Sequence, residues 1–96
     1  MKNIKDFVHN LITSKNLEDI DSEIVDQMKE DLEKRVEDRI NAMIMQNMPP
    51  ESLEEFNSVL DSEEEEKILN YIKEKIPTIE EKTAAVLVEF RNIYLN

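Results

Sequence analysis

Cysteine is absent from the 96 residues, so neither disulfides nor thiolate metal sites are available to this chain. Glycine is absent as well, although it makes up roughly 7% of an average chain. Phosphate-cradling loops, nucleophile elbows and primed hairpin turns rely on glycine, because only glycine takes a positive φ without steric cost. Enzymes built on those devices are not expected. Histidine occurs once, as His9, which leaves no bis-histidine motif and no Glu-x-x-His pair. It lies beside the apolar stripe of its segment and reads as solvent-facing. No apolar run approaches membrane-spanning length, and "MKNIKDFVHNLITSK" lacks the continuous apolar core of a signal peptide. A cytoplasmic protein is expected.

What the chain does have is charge. Residues of types D, E, K and R make up 36%, apolar residues 40%, and the formal net charge is −11; mean hydropathy is −0.58. These values fit one helical domain over residues 1–96 with a modest core. The charge disfavours direct binding to nucleic acid or anionic membranes and favours basic partners.

Apolar spacing is helical nearly throughout. Ile4, Phe7, Val8, Leu11 and Ile12 share one face of a first helix. "TSKNLEDIDS" (13–22) is a connector, pinned by Leu17 and Ile20. Asp21 or Ser22 caps a second helix that runs to about Asn47, with Glu23 and Asp26 at the positive end of its dipole. "MPP" (48–50) ends it. Beyond the prolines, Ser52 with Glu55, Ser62 with Glu65 and Thr78 with Glu81 each have capping-box spacing. They precede Leu53, Phe56, Val59 and Leu60; Ile68, Leu69, Ile72 and Ile76; and Ile79, Val86, Leu87, Phe90, Ile93 and Tyr94. Pro77 closes the fourth helix. The fold class is all-α: a compact bundle of about five helices, with one long central helix at about 22–47.

The stretch "DSEEEEK" (61–67) is the densest charge run. Capping accounts for it, since glutamates in a first helical turn meet unpaired backbone N–H groups. Capping does not explain why Glu51, Glu54, Glu55, Asp61, Glu63, Glu64, Glu65 and Glu66 occur with no base among them until Lys67. A second acidic stretch, "DIDSEIVDQMKE" (19–30), places Asp19, Asp21, Glu23 and Glu30 like the ligands of a calcium-binding EF-hand loop. Ile24 stands where the loop needs glycine, Asp26 where it needs an apolar residue, and helical spacing runs straight through. A capped helix start is the better reading. Carboxylate pairs such as Glu33 with Glu37 are matched by neighbouring bases, and Glu30–Lys34, Asp31–Arg35 and Glu63–Lys67 have helix-pair spacing. No catalytic, cofactor or metal residue is assigned.

Contact surfaces are better supported. On a helical wheel Ile79, Val86, Phe90 and Ile93 lie on one side of the last helix, while Ala84, Val88 and Leu95 lie on roughly the other. Such a helix is either sandwiched in its own bundle, the simpler reading, or shared with another chain. In the second helix Ile24, Met28, Leu32, Val36, Ile40 and Ile44 recur every four residues, so the stripe drifts by about 40° per step. That helix would be about 39 Å long, against a diameter of about 30–35 Å for a compact domain of this size. A bend or a protruding end follows. Met45, in "NAMIMQNM" (41–48), projects away from Ile40, Met43 and Ile44. It suits a partner surface, or a contact with the following Pro-Pro turn.

Residues 39–95 also carry a resemblance. A long helix ending at "MPP", the helix "LEEFNSVLDS", "KILNYIKEKIP" closed by proline and "EF" near the C-terminus resemble a family of short acidic helical proteins. That family is known only as a domain of unknown function, chiefly from candidate phyla radiation (Patescibacteria) genomes. The resemblance implies an all-helical fold and a bacterial cytoplasmic setting, and it brings no site residues.

The functional expectation is a non-enzymatic module acting by protein–protein contact, self-associating as a homodimer through the second and last helices at Met45, Val88 and Leu95. The alternative is an acidic inhibitor that mimics nucleic acid for a basic DNA- or RNA-binding protein. Its residues would be the eight acids of 51–66, joined by Glu18, Asp19, Asp21 and Glu23.

Overall fold

Asp21 starts the longest element of the protein. Its carboxylate oxygen Oδ1 accepts the Glu23 N–H at 3.0 Å and its carbonyl accepts the Val25 N–H at 3.0 Å, so Asp21 rather than Ser22 is the N-cap. The structure is a computed structural model and describes residues 4–14 and 20–95. Its elements are α1 (Ile4–Ser14), α2 (Ser22–Asn47), a 3₁₀ turn (Pro50–Ser52), α3 (Leu53–Asp61), α4 (Glu65–Lys75) and α5 (Ile79–Leu95). The fold is all-α, five helices with one long helix, and there is no strand among the described residues. Leu17, Glu18 and Asp19 lie outside the described residues.

The chain divides into two units, Met1–Ile40 with Val86–Asn96, and Asn41–Ala85. In the first, α1 buries Val8, Leu11 and Ile12, the matching part of α2 buries Leu32, Val36 and Ile40, and α5 supplies Phe90. Val8 and Val36 are fully buried, each contributing about 1.5–3 kcal/mol of apolar burial. Phe7 meets Phe90 edge to face, with centroids 6.3 Å apart, a geometry that puts a ring edge against the electron-rich face of its neighbour. Arg39 reaches across from α2: its guanidinium lies 5.6 Å from the Phe90 centroid and its Nη1 is 4.0 Å from Glu89. Ile24, at the start of the four-residue stripe of α2, is 53% exposed. The drift explains this, because two steps of about 40° turn it well away from Leu32. Ile93 is 59% exposed; it lies a turn beyond Phe90, near the end of α5.

In the second unit the end of α2 packs inward. Met43, Ile44 and Met48 are buried with Phe56, Tyr71, Ile72, Ile76 and Ile79. The methionine-bearing end is therefore not bare: of its apolar side chains from Met43 to Met48, only Met45 faces outward, at 46% exposure. Asn47 finishes the helix by donating its side-chain amide to the Met43 carbonyl at 2.8 Å. Pro49 is extended (φ −55°, ψ 133°), and its carbonyl accepts the Ser52 N–H at 2.8 Å, which closes the 3₁₀ turn. This turn displaces the expected Ser52 cap. Ser52 has a helical backbone and makes no side-chain cap bond.

Candidate functional site

The helices α3 and α4 form an antiparallel hairpin joined by Ser62, Glu63 and Glu64. Phe56 and Tyr71 stack at 5.8 Å with ring planes 10° apart, and the Tyr71 hydroxyl donates to the Ser52 carbonyl at 3.2 Å. Lys75 places its ammonium 5.6 Å from the Tyr71 centroid. Burial raises the phenol pKa above its ordinary value of 10.0, and the adjoining Glu55 carboxylate adds to the rise; hydrogen bonding from the Ser52 side chain opposes it, and the Glu74 charge contributes last. Tyr71 therefore stays protonated and remains a donor.

The connector has no glycine to make its turn. Glu63 takes the left-handed conformation instead, at φ 57°, where a side chain with a Cβ is disfavoured by roughly 1–2 kcal/mol. Around it, the Ser62 N–H reaches the Val59 carbonyl at 3.1 Å and the Glu63 N–H reaches the Leu60 carbonyl at 3.1 Å. In a Schellman ending the next N–H would bond back to the third-last carbonyl. Here the Ser62 hydroxyl stands between the two: it donates to the Val59 carbonyl at 2.6 Å and accepts the Glu64 N–H at 3.3 Å. Ser62 thus terminates α3 and does not cap α4. The expected Ser62–Glu65 capping box is not formed, and the residue before α4 is Glu64, without a side-chain cap bond. Glu65 and Glu66 still occupy the first turn of α4, where the dipole favours acids. Lys67 pairs with Glu64 at 2.7 Å rather than with Glu63, and that pairing raises the lysine pKa above its usual value. Lys34 likewise pairs onward to Asp38, at 3.9 Å.

All eight acids of 51–66 are exposed. They fall into two groups: Glu51, Glu54 and Glu55 where α3 begins, and Asp61 with Glu63 to Glu66 where it turns into α4. About 9 Å of helix separates Glu55 from Asp61. A shallow groove of about 450 Å³ runs between the two helices. Its walls are Glu55, Ser58 and Val59 from α3 with Ser62 just past its end, and Lys67, Asn70, Tyr71 and Glu74 from α4. Both sets follow i, i+3, i+4, i+7 spacing, so each is a single helix face. Glu74, Asn70 and Tyr71 did not stand out in the sequence. Their signal was the mirrored spacing of the two rows about the 62–64 connector.

The other expected residues lie elsewhere. Val88 is 58% exposed on α5, and Leu95 is half-buried seven residues further on; both belong to the first unit, and Met45 to the second. Asp21, Glu23 and Glu30 are exposed, and the last two belong to the continuous helix α2, which replaces the loop an EF-hand requires. Asp19 lies outside the described residues. Among the described residues no three His, Cys, Asp or Glu side chains are grouped to hold a metal ion, and no helix is long and apolar enough to cross a membrane.

No curated protein and no solved structure matches the chain significantly. A family profile does, that of "Protein of unknown function (DUF5663)", over residues 11–94. Nearly all of the chain lies inside that match, including both walls of the groove and the exposed α5 residue Val88, and the chain belongs to the DUF5663 family.

Proposed function

We propose that the protein acts by protein–protein contact, catalyses no reaction, and self-associates as a homodimer through the outer faces of α5 and α2. Val88 carries this reading: a β-branched side chain 58% exposed on the outer face of α5. Leu95 lies within about 20° of it around the helix axis. An apolar stripe in a chain of net charge −11 is costly to leave wet, and a two-fold contact with the same stripe of a second copy removes it from water. Met45, 46% exposed, is the adaptable contact on the α2 side. The setting proposed with this is a bacterial cytoplasm, in line with the family resemblance to Patescibacteria proteins.

Sedimentation equilibrium over a wide concentration range, at low and high salt, tests the reading. A dimer that persists in high salt and dissociates in Val88→Glu or Met45→Glu supports apolar self-association. A monomer at every concentration overturns it. The second reading, an acidic inhibitor that mimics nucleic acid, draws on the exposure of all eight acids from Glu51 to Glu66. Its complex with a basic protein would weaken steeply with salt, whereas the apolar dimer would not.

A further inference from the structure

The groove between α3 and α4 has a polarity along its length. At one end the register of the hairpin sets Glu55 opposite Glu74, and the Tyr71 phenol feels both carboxylates. Neither glutamate is ion-paired among the described residues. At the other end Lys67 already holds Glu64, so negative charge is compensated there. Between the ends lie half-buried Val59 and the edge of Tyr71, whose ring is braced by Phe56. The α3 wall from Glu55 to Ser62 is about 10 Å long, close to two turns of an incoming helix. A groove between two antiparallel helices, apolar along its floor and acidic at one end, is complementary to an amphipathic helix with a base at the matching end.

We propose that this groove is a docking site for a basic amphipathic helix of a partner protein, with apolar side chains on Val59 and Tyr71 and an arginine or lysine between Glu55 and Glu74. The guanidinium or ammonium meets two carboxylates that form no ion pair among the described residues, the nearby Lys75 ammonium lying over the Tyr71 ring instead, and the Asn70 amide and Ser58 hydroxyl flank it as hydrogen-bonding groups. Val88 and Met45 take no part, so this site stands or falls separately from self-association.

The probe is an acetylated, amidated helical peptide of alanine and glutamine, with leucines a turn apart and arginines a turn beyond them on the same face. It is titrated into the full chain by amide NMR. Saturable shifts concentrated on Glu55, Asn70, Tyr71 and Glu74 are expected. Glu55→Gln with Glu74→Gln should weaken binding about tenfold, near 1.4 kcal/mol for two partly exposed charge contacts. Glu65→Gln with Glu66→Gln removes the same charge outside the groove and should change affinity less than about twofold, because exposed charges off the site are screened. Replacing each peptide arginine by neutral citrulline should abolish the preference for the groove. Equal losses from the two double variants, or shifts spread over all the acids of 51–66, overturn the proposal. All these substitutions are at exposed positions, and the amide spectrum of each variant reports its folding directly.

Discussion

The Tyr71 hydroxyl, near the middle of α4, donates to the Ser52 carbonyl at 3.2 Å and so ties the α3–α4 hairpin to the 3₁₀ turn that precedes it. The bond spans nineteen residues and both partners are buried. It is therefore a tertiary bond with little water to replace it.

Tyr71→Phe keeps the stack on Phe56 and removes only this donor. The Ser52 carbonyl then stays buried without it, at a cost of about 1–2 kcal/mol. Urea unfolding followed by circular dichroism should show a lower midpoint with an unchanged slope. An unchanged midpoint would mean that water replaces the phenol.

The same hydroxyl makes stability fall at alkaline pH. Burial, then Glu55, holds the folded phenol pKa above 10.0, so the unfolded chain loses this proton first. The stabilisation is complete below pH 10 and declines as pH rises toward the folded value. Lys67, also raised, by its bond to Glu64, adds a loss of the same sign. The melting temperature should drop above pH 10, and more shallowly in Tyr71→Phe, where only the other groups titrate. Identical slopes in the two proteins would remove the phenol from the account.

At the hairpin turn, Glu63→Gly should raise stability by about 1 kcal/mol, because glycine takes the left-handed conformation without the Cβ penalty. Ser62→Ala should lower it by about 1 kcal/mol, since the Val59 carbonyl and the Glu64 N–H lose the hydroxyl between them. Thermal melts of the two variants should move in opposite directions. A Glu63→Gly protein that melts lower than the parent would show that the glutamate side chain contributes more than its backbone costs.

Thr83 is buried at 8% exposure, and its hydroxyl has no hydrogen-bond partner among the described residues. Thr83→Val keeps the shape and removes the unmatched polar atom. It should stabilise the protein by about 1 kcal/mol, read as a higher denaturation midpoint. A destabilised Val variant would reveal a partner for the hydroxyl.

Helix number and placement were legible because they depend on local periodicity and on two proline-marked breaks. Val8, Leu11 and Ile12 on α1, and Leu32, Val36 and Ile40 on α2, are buried as their spacing required. What spacing did not reveal was competition for short polar side chains. Ser62 has capping-box spacing with Glu65, yet its hydroxyl serves the end of α3. Ser52 has the same spacing with Glu55, yet the Pro-Pro turn holds it in a helical backbone. In both cases a neighbouring element claims the residue first. The groove was hidden for a related reason. Its acids Glu55 and Glu74 lie nineteen positions apart, and only the closure of the hairpin makes them neighbours.

The first unit is assembled from both ends of the chain, while the second is one unbroken stretch, Asn41–Ala85. During synthesis from the N-terminus, all of 41–85 is translated before Phe90 exists. At a few residues to about twenty per second, Phe7 and Arg39 wait several seconds for the ring they grip. In that interval the apolar stripe of α1 has no Phe90 to cover it. The first unit therefore cannot complete its contacts until the segment that carries Phe90 has been made.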